Sequence, residues 1–265
     1  TRSFTYSSLS RLKEATNPES GTIKYTYDDN GNLKTKWDAR GIKTIYDYDT
    51  LNRVWKRCYK SVGTSSLGYT TCATASGETA EPNTPDVDYY YDNVTNAKGK
   101  LIKVSSSVST TEYTAFDILG RVTGHRQTTD STNYTTVYTY NLTGALIEET
   151  YPSGRMVKNT FASDASLSQV QTKTTGSYAD RATDFVYNAA GAASSLKLGN
   201  NKYETTQFNL RLQPTQIALG TSTSDTSLLK LEYTYNTSGN ADNNGNILSQ
   251  MITVPGMTYP LVQDY

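Results

Sequence analysis

Apolar and polar positions alternate along this chain with a period of two, and the alternation restarts again and again. Ile23, Tyr25 and Tyr27 are interleaved with Lys24, Thr26 and Asp28, the pattern of a β-strand with two unlike faces. Asp29-Asn30-Gly31 then supplies a three-residue hairpin loop with Gly at the left-handed position. That loop sets Asp28 across from Asn32 and Tyr27 across from Leu33. From Leu33 the alternation is expected to run through Thr35 to Trp37, before Asp38-Ala39-Arg40-Gly41 turns the chain into Ile42, Thr44, Tyr46 and Tyr48. No period of 3.6 competes with it.

The unit recurs. Tyr25 and Tyr27 with Asp28 and Gly31 define a frame that also fits Tyr46, Tyr48 and Asp49, then Tyr91 and Asp92, and then Phe116, Asp117 and Gly120. It fits Tyr138, Tyr140 and Gly144, then Tyr187 and Gly191, Phe208, and Tyr233 with Tyr235. The second aromatic falls at positions 6, 27, 48, 91, 116, 140, 161, 187, 208 and 235, so the shortest step is 21 residues and the longer steps carry loop residues. The step of 43 points to an insertion over residues 60–86, which are rich in Ser, Thr, Gly and Pro.

The expected fold is therefore all-β: an antiparallel β-hairpin meander of tandem units of ~21 residues, two strands each, that curls into a single-layer shell or an open segment of one. Residues 1–265 read as one such array. Equivalent tyrosines form an aromatic–aliphatic ladder with Leu33, Val54, Val122 and Leu146. Unbroken alternation would put Glu14, Lys56, Arg126, Glu148 and Gln169 on the ladder face as well. Charges left unpaired in a dry core are costly, so that face is expected to line a wet space.

Composition narrows the chemistry. Lys+Arg and Asp+Glu number 25 each, so no net field draws the chain to nucleic acid. No run of residues is long and apolar enough for a membrane helix. Hydrophobic residues make up only 35%, yet there are 22 tyrosines, a balance that suits a thin sheet better than a thick core. The first residues are not those of a signal peptide, and a segment of a longer protein is expected.

Candidate reactive groups are few. Asp28, Asp49, Asp92 and Asp117 alternate with Asn141, Asn188, Asn209 and Asn236 at the same position, which suits a turn cap and not a catalytic carboxylate. His125 is the only histidine; it sits in ordinary strand context, on the face expected to lie opposite Val122, and a histidine-cluster zinc site is excluded by number. Cys58, expected to continue the face of Val54 and Lys56, and Cys72 in the insertion are expected to form a disulfide. Asp242-Asn243-Asn244-Gly245-Asn246 resembles a fragment of a calcium loop but lacks the later bidentate Glu, and reads as another hairpin. The residues suggest no cofactor and no enzyme. Carbohydrate stacking on tyrosines stays open, with Tyr69, Tyr89, Tyr90 and Tyr178 as the aromatics outside the repeat register.

Residues 25–33 (Tyr-Thr-Tyr-Asp-Asp-Asn-Gly-Asn-Leu), Pro152-Ser153-Gly154-Arg155 before Phe161, Phe208-Asn209 through Pro214, and Asn243 to Ile247 after Tyr235 resemble the YD repeats of the RHS family. The resemblance implies a β-strip spiralling into a hollow shell. In bacterial RHS and ABC-toxin proteins such a shell encloses a C-terminal toxic polypeptide, and in teneurins a similar one belongs to a cell-surface adhesion receptor. The expected role is a structural shell segment of a secreted or surface protein, with an enclosed C-terminal polypeptide or neighbouring repeats as partners. A cell-surface adhesion or carbohydrate-binding module is the alternative. The self-cleaving core of bacterial RHS proteins has no counterpart here. Exposed edges of the array are expected to favour edge-to-edge self-association.

Overall fold

The computed structural model describes residues 1–61, 71–73, 75, 79–82, 84–237 and 242–265. Among these there are 21 strands and no helix. The chain divides into two compact units, Thr1–Val137 and Tyr138–Tyr265. The first holds β1 (Ser3–Tyr6), β2 (Leu12–Asn17), β3 (Gly21–Tyr27), β4 (Leu33–Trp37), β5 (Ile42–Tyr48), β6 (Val54–Ser61), β7 (Val87–Tyr91), β8 (Leu101–Ser105), β9 (Ser109–Phe116) and β10 (Val122–Thr129). The division falls within β11 (Thr132–Tyr140). The second unit continues with β12 (Leu146–Thr150), β13 (Met156–Phe161), β14 (Leu167–Lys173), β15 (Ala179–Tyr187) and β16 (Ala193–Leu198). It ends with β17 (Tyr203–Phe208), β18 (Pro214–Gly220), β19 (Leu229–Thr234), β20 (Ser249–Thr253) and β21 (Leu261–Asp264).

Within each unit consecutive strands pair antiparallel, and no strand touches any but its sequence neighbours among the described residues. Each unit is therefore one layer. The residues 60–86 expected as an insertion begin inside β6, which reaches Ser61, and end where β7 starts.

The register departs from simple alternation at one recurring place, besides single shifts within β9–β10, β14–β15 and β15–β16. Tyr27 faces Leu33, but Thr26 faces Thr35, so Lys34 is an extra residue with no partner in the ladder. The same β-bulge follows Tyr6↔Leu12, Tyr48↔Val54, Tyr91↔Leu101, Phe116↔Val122, Phe161↔Leu167, Tyr187↔Ala193 and Phe208↔Pro214. One added residue shifts a period-2 pattern by half a cycle, so side chains beyond it change face.

This corrects the expected ladder face. Glu14 pairs with Thr5, Lys56 with Asp47, Arg126 with Glu112, Glu148 with Lys158 and Gln169 with Thr160, all on the face opposite the ladder aromatics. The charges are matched there: Lys56 to Asp88 at 2.8 Å, and Glu112 to Lys103 at 3.2 Å and to the Arg126 Nε at 2.8 Å. The first unit thus has an aromatic–aliphatic face and an ion-paired face. The separation is not complete, since Arg57 shares the ladder face and lies over the rings of Tyr59 and Tyr89.

Burial is correspondingly thin. Most ladder residues are half-buried, and one apolar cluster, Ile45, Cys58, Cys72 and Ala75, is enclosed. It forms where Cys72 and Ala75 lie on the ion-paired face and cover Ile45 and Cys58, each 0% exposed. At β9–β10 a second register shift near Thr114 places Gly124 against its neighbours, where a Cβ would meet the Thr114 Oγ1 at 2.5 Å.

The hairpin loop uses the left-handed backbone that its Gly suits, with φ of 87° at Gly31. Four copies hold that conformation without Gly: Ser10, Asn52, Ala165 and Leu212, the last at φ 61°. Left-handed backbone costs a residue with a Cβ roughly 1–2 kcal/mol, partly offset by the extra unfolded-state freedom of Gly. Leu212→Gly is therefore expected to stabilise the second unit by about 0.5–1 kcal/mol, read as a higher urea midpoint, whereas Gly31→Val should lower it in the first unit.

Candidate functional site

What recurs in this molecule is a joint between successive repeats, and it is assembled from the hairpin loop upward. The residue after the ladder aromatic caps the loop. The Asp28 Oδ1 accepts the Asn32 N–H at 2.8 Å, and the Asp49 Oδ1 accepts those of Leu51 and Arg53, each at 2.9 Å. The Asp117 Oδ1 does the same for Leu119 and Arg121. Asn141, Asn188 and Asn209 use the amide oxygen identically, accepting from Ala145, Ala192 and Gln213. An acceptor is all the position requires, which is why Asp and Asn interchange. Gly120, Gly144 and Gly191 close their loops by donating N–H to the carbonyls of Asp117, Asn141 and Asn188. Asp92 differs, because the loop after β7 is longer: its Oδ1 accepts the Gly99 N–H at 2.6 Å.

The bulge supplies the second half of the joint. The Tyr48 hydroxyl donates to the carbonyl of Leu33 at 2.8 Å, and Leu33 opens the bulge of the preceding repeat. Tyr27 reaches Leu12 at 2.9 Å and Tyr91 reaches Val54 at 2.8 Å in the same way. In the second unit Tyr187 reaches Leu167 at 2.8 Å, and Tyr235, itself buried, reaches Pro214 at 3.0 Å. Each acceptor sits where the bulge interrupts the ladder, so the next repeat's tyrosine occupies a carbonyl that the sheet itself serves poorly. Phe161 has no hydroxyl, and there the Asn159 amide donates to Leu146 instead, at 3.0 Å. Burial pushes the phenols of Tyr48, Tyr91 and Tyr235 up, which keeps them protonated donors.

Arginine forms a third element that the alternation did not disclose. Arg53 donates to the Asp49 Oδ2 at 2.7 Å, pairs with Asp92 at 2.9 Å and lies 4.3 Å from the centroid of the Tyr91 ring. Its backbone N–H holds the Asp49 carboxyl below the usual carboxylate range, and its guanidinium does so for Asp92. Arg11 lies over Tyr27 and donates to the Asp28 carbonyl at 3.2 Å. The sequence signal was the basic residue directly after the left-handed position, as in Ser10-Arg11, Asn52-Arg53 and Gly120-Arg121.

The other singled-out residues take these places. Tyr25 and Tyr46 lie two residues before the ladder tyrosines on the same face, Tyr138 and Tyr140 lie in β11 beyond the division, and Phe208 faces Pro214. Tyr233 accepts a bond from the Gln250 amide at 3.2 Å. Cys58 and Cys72 are joined by a disulfide with Cα atoms 5.8 Å apart. Cys58 shares its face with Lys56 but, because of the bulge, not with Val54.

His125 faces Tyr113, ring centroids 5.7 Å apart, and the bulge at Thr123 puts it on the same face as Val122 rather than the opposite one. In the calcium-like segment Asn243 is buried against Gln213 and Arg211, bonds that tie it to a neighbouring hairpin. Tyr89 lies under Arg57 and Tyr90 under Lys103, while Tyr178 donates to Glu148 at 2.7 Å between Lys158 and Lys173. These three rings are engaged within the chain; Tyr69 lies outside the described residues. Among the described residues no group of three His, Cys, Asp or Glu could hold a metal ion. The grooves are open, such as one of about 390 Å³ over Tyr90, Lys103, Glu112 and Arg126.

The RHS Repeat family pattern matches residues 27–54, a stretch holding one whole joint from Tyr27 to Val54. No curated protein sequence matches the chain. Among solved structures, TcdB2-TccC3 superposes with a TM-score of 0.77 at 16% identity over 98% of this chain, and TcdB2-TccC3 without its hypervariable C-terminal region with 0.78 at 16% over 98%. A Tc holotoxin pore of Photorhabdus luminescens carrying a TccC3 mutation gives 0.75 at 15% over 96%. At that identity the likeness is one of fold, and this chain spans 12–13% of the length of those chains.

If the tyrosine–carbonyl bond carries the joint, Tyr48→Phe costs about 1 kcal/mol, the net worth of a part-buried hydrogen bond. Tyr6→Phe, where the ring is 60% exposed, should change the urea midpoint by no more than a surface substitution does.

Proposed function

Since this chain belongs to the RHS/YD-repeat family, we propose that it is a wall segment of an RHS-type shell, which encloses or displays a polypeptide of a larger secreted or surface protein. The observation that carries the reading is the one-layer construction: each strand touches only its sequence neighbours, so neither unit closes over a core of its own. A sheet of this kind is a partition. In the first unit one face is ion-paired and the other half-buried aromatic and aliphatic. The likeness to TcdB2-TccC3 supports the same reading at the level of fold. The disulfide suits an oxidising location outside the cytosol.

The mechanism is steric. A wall of keyed hairpins excludes proteases and other proteins from what lies behind it, and no residue here is assigned a catalytic role. In the intact parent protein, the polypeptide following the repeats is expected to be digested by protease at least tenfold more slowly than the same polypeptide produced alone. Equal rates would sink the enclosure reading. Strands β1 and β21 are exposed along their lengths and pair on one side only, so the isolated 265-residue chain is expected to associate edge to edge. Sedimentation velocity showing a strict monomer at high concentration would contradict that.

A further inference from the structure

The seam between β6 and β7 is built differently from its neighbours. Its ladder holds two residue pairs, Lys56↔Asp88 and Arg57↔Val87, against seven between β5 and β6 and four between β7 and β8. The rest of the β6 edge is occupied by the returning insertion. The Glu81 N–H donates to the Tyr59 carbonyl at 3.2 Å, the Ser61 N–H donates to Thr79 at 2.9 Å, and Lys60 bridges Ala80. One strand edge is thus shared between a repeat strand and a loop.

The same insertion is tied down on the ion-paired face. Cys72 is bonded to Cys58, and together with Ala75 it covers Ile45. The Asp47 carboxylate, 9% exposed, accepts the Cys72 N–H at 3.0 and 3.2 Å. Burial pushes the Asp47 carboxyl up, meaning that its ionised form is held against a pull toward water. Among the described residues the loop's side chains in this cluster are those of Cys72 and Ala75, and the Cys58–Cys72 bond ties them covalently to β6. Without the tie, the loop's return segment loses its anchor beside the shortest ladder of the first unit.

The geometry points to a redox-sensitive latch: two-electron reduction of the Cys58–Cys72 disulfide by a thiol releases the insertion from the ion-paired face and loosens the β6–β7 seam, while the other hairpins stay folded. A thiolate attacks one sulfur to give a mixed disulfide, and a second thiol displaces the remaining protein sulfur. Cys58 and Cys72 leave the sequence as two thiols, and the reductant leaves as its own disulfide. Cys58 is fully enclosed and Cys72 is 6% exposed, so attack follows a local opening at Cys72. This inference concerns the seam alone and stands apart from the enclosure reading.

Hydrogen–deuterium exchange of the whole chain, oxidised and after dithiothreitol, tests it, with alkylation and mass measurement confirming the thiol state. Reduction is expected to speed exchange about tenfold or more in residues 45–61 and 79–91 and to leave β2–β4 and β12–β20 unchanged, the mark of sub-global opening. Cys72→Ser is expected to reproduce that local pattern without reductant. Unchanged exchange in protein confirmed as reduced overturns the latch. A rise spread over the whole first unit does so too, since the bond would then be a global staple, as does a disulfide that survives overnight in millimolar dithiothreitol.

Discussion

A β-bulge placed directly after the hairpin loop that follows a ladder aromatic governs the rest of this structure. It adds one residue to the second strand, and with a side-chain period of two that residue exchanges the faces of everything beyond it. It also interrupts the ladder at a carbonyl, such as that of Leu33 or Val54, which the tyrosine hydroxyl of the following repeat then occupies. The bulge and the tyrosine are two halves of one device: the first creates an acceptor, and the second fixes the next hairpin relative to it. Where phenylalanine replaces tyrosine at 161, a side-chain amide from the same strand takes over.

From that device the energetic character of the molecule follows. A one-layer sheet buries little, and its stability is the sum of many small terms between neighbours, as in other repeat proteins. Joints with a ladder tyrosine contribute a tyrosine–carbonyl bond and a loop cap, and in some copies an arginine stacks on the next ring. Charges moved to the far face by the bulge are paired there in half-exposed positions, where such pairs contribute ~0–1 kcal/mol each. Their placement matters more than their strength, because it keeps unpaired charge off the ladder.

The insertion after β6 is the exception to this regularity, and it has different physics. It supplies the enclosed apolar cluster around Ile45, the disulfide and the buried carboxylate of Asp47. It also takes part of a strand edge that would otherwise belong to β7. Side chains compensate across the shortened seam: Lys56–Asp88, Arg53–Asp92 and the Tyr91 hydroxyl all cross it. The wall is here both thicker and less continuously paired than at the other seams of the first unit.

Much of this was legible in the residues alone. Period-2 alternation and the Asp-Asn-Gly loop are local signals, each set by backbone geometry within a few residues, and they were enough to fix strand type, loop register and the Tyr27–Leu33 pairing. Interchange of Asp and Asn at 28, 49, 141 and 188 likewise disclosed a hydrogen-bond acceptor in a turn. What the residues did not disclose was the extra residue at Lys34 and its equivalents, because a bulge leaves no compositional mark and depends on how two strands pair. The face of Glu14, Lys56 and Arg126, the side of the sheet reached by His125, and the destination of each tyrosine hydroxyl all hang on that pairing. Local sequence determined the unit; strand pairing within each hairpin decided which way each side chain faces, and contacts 15 or more residues apart, such as Tyr48 to Leu33, decided what it holds.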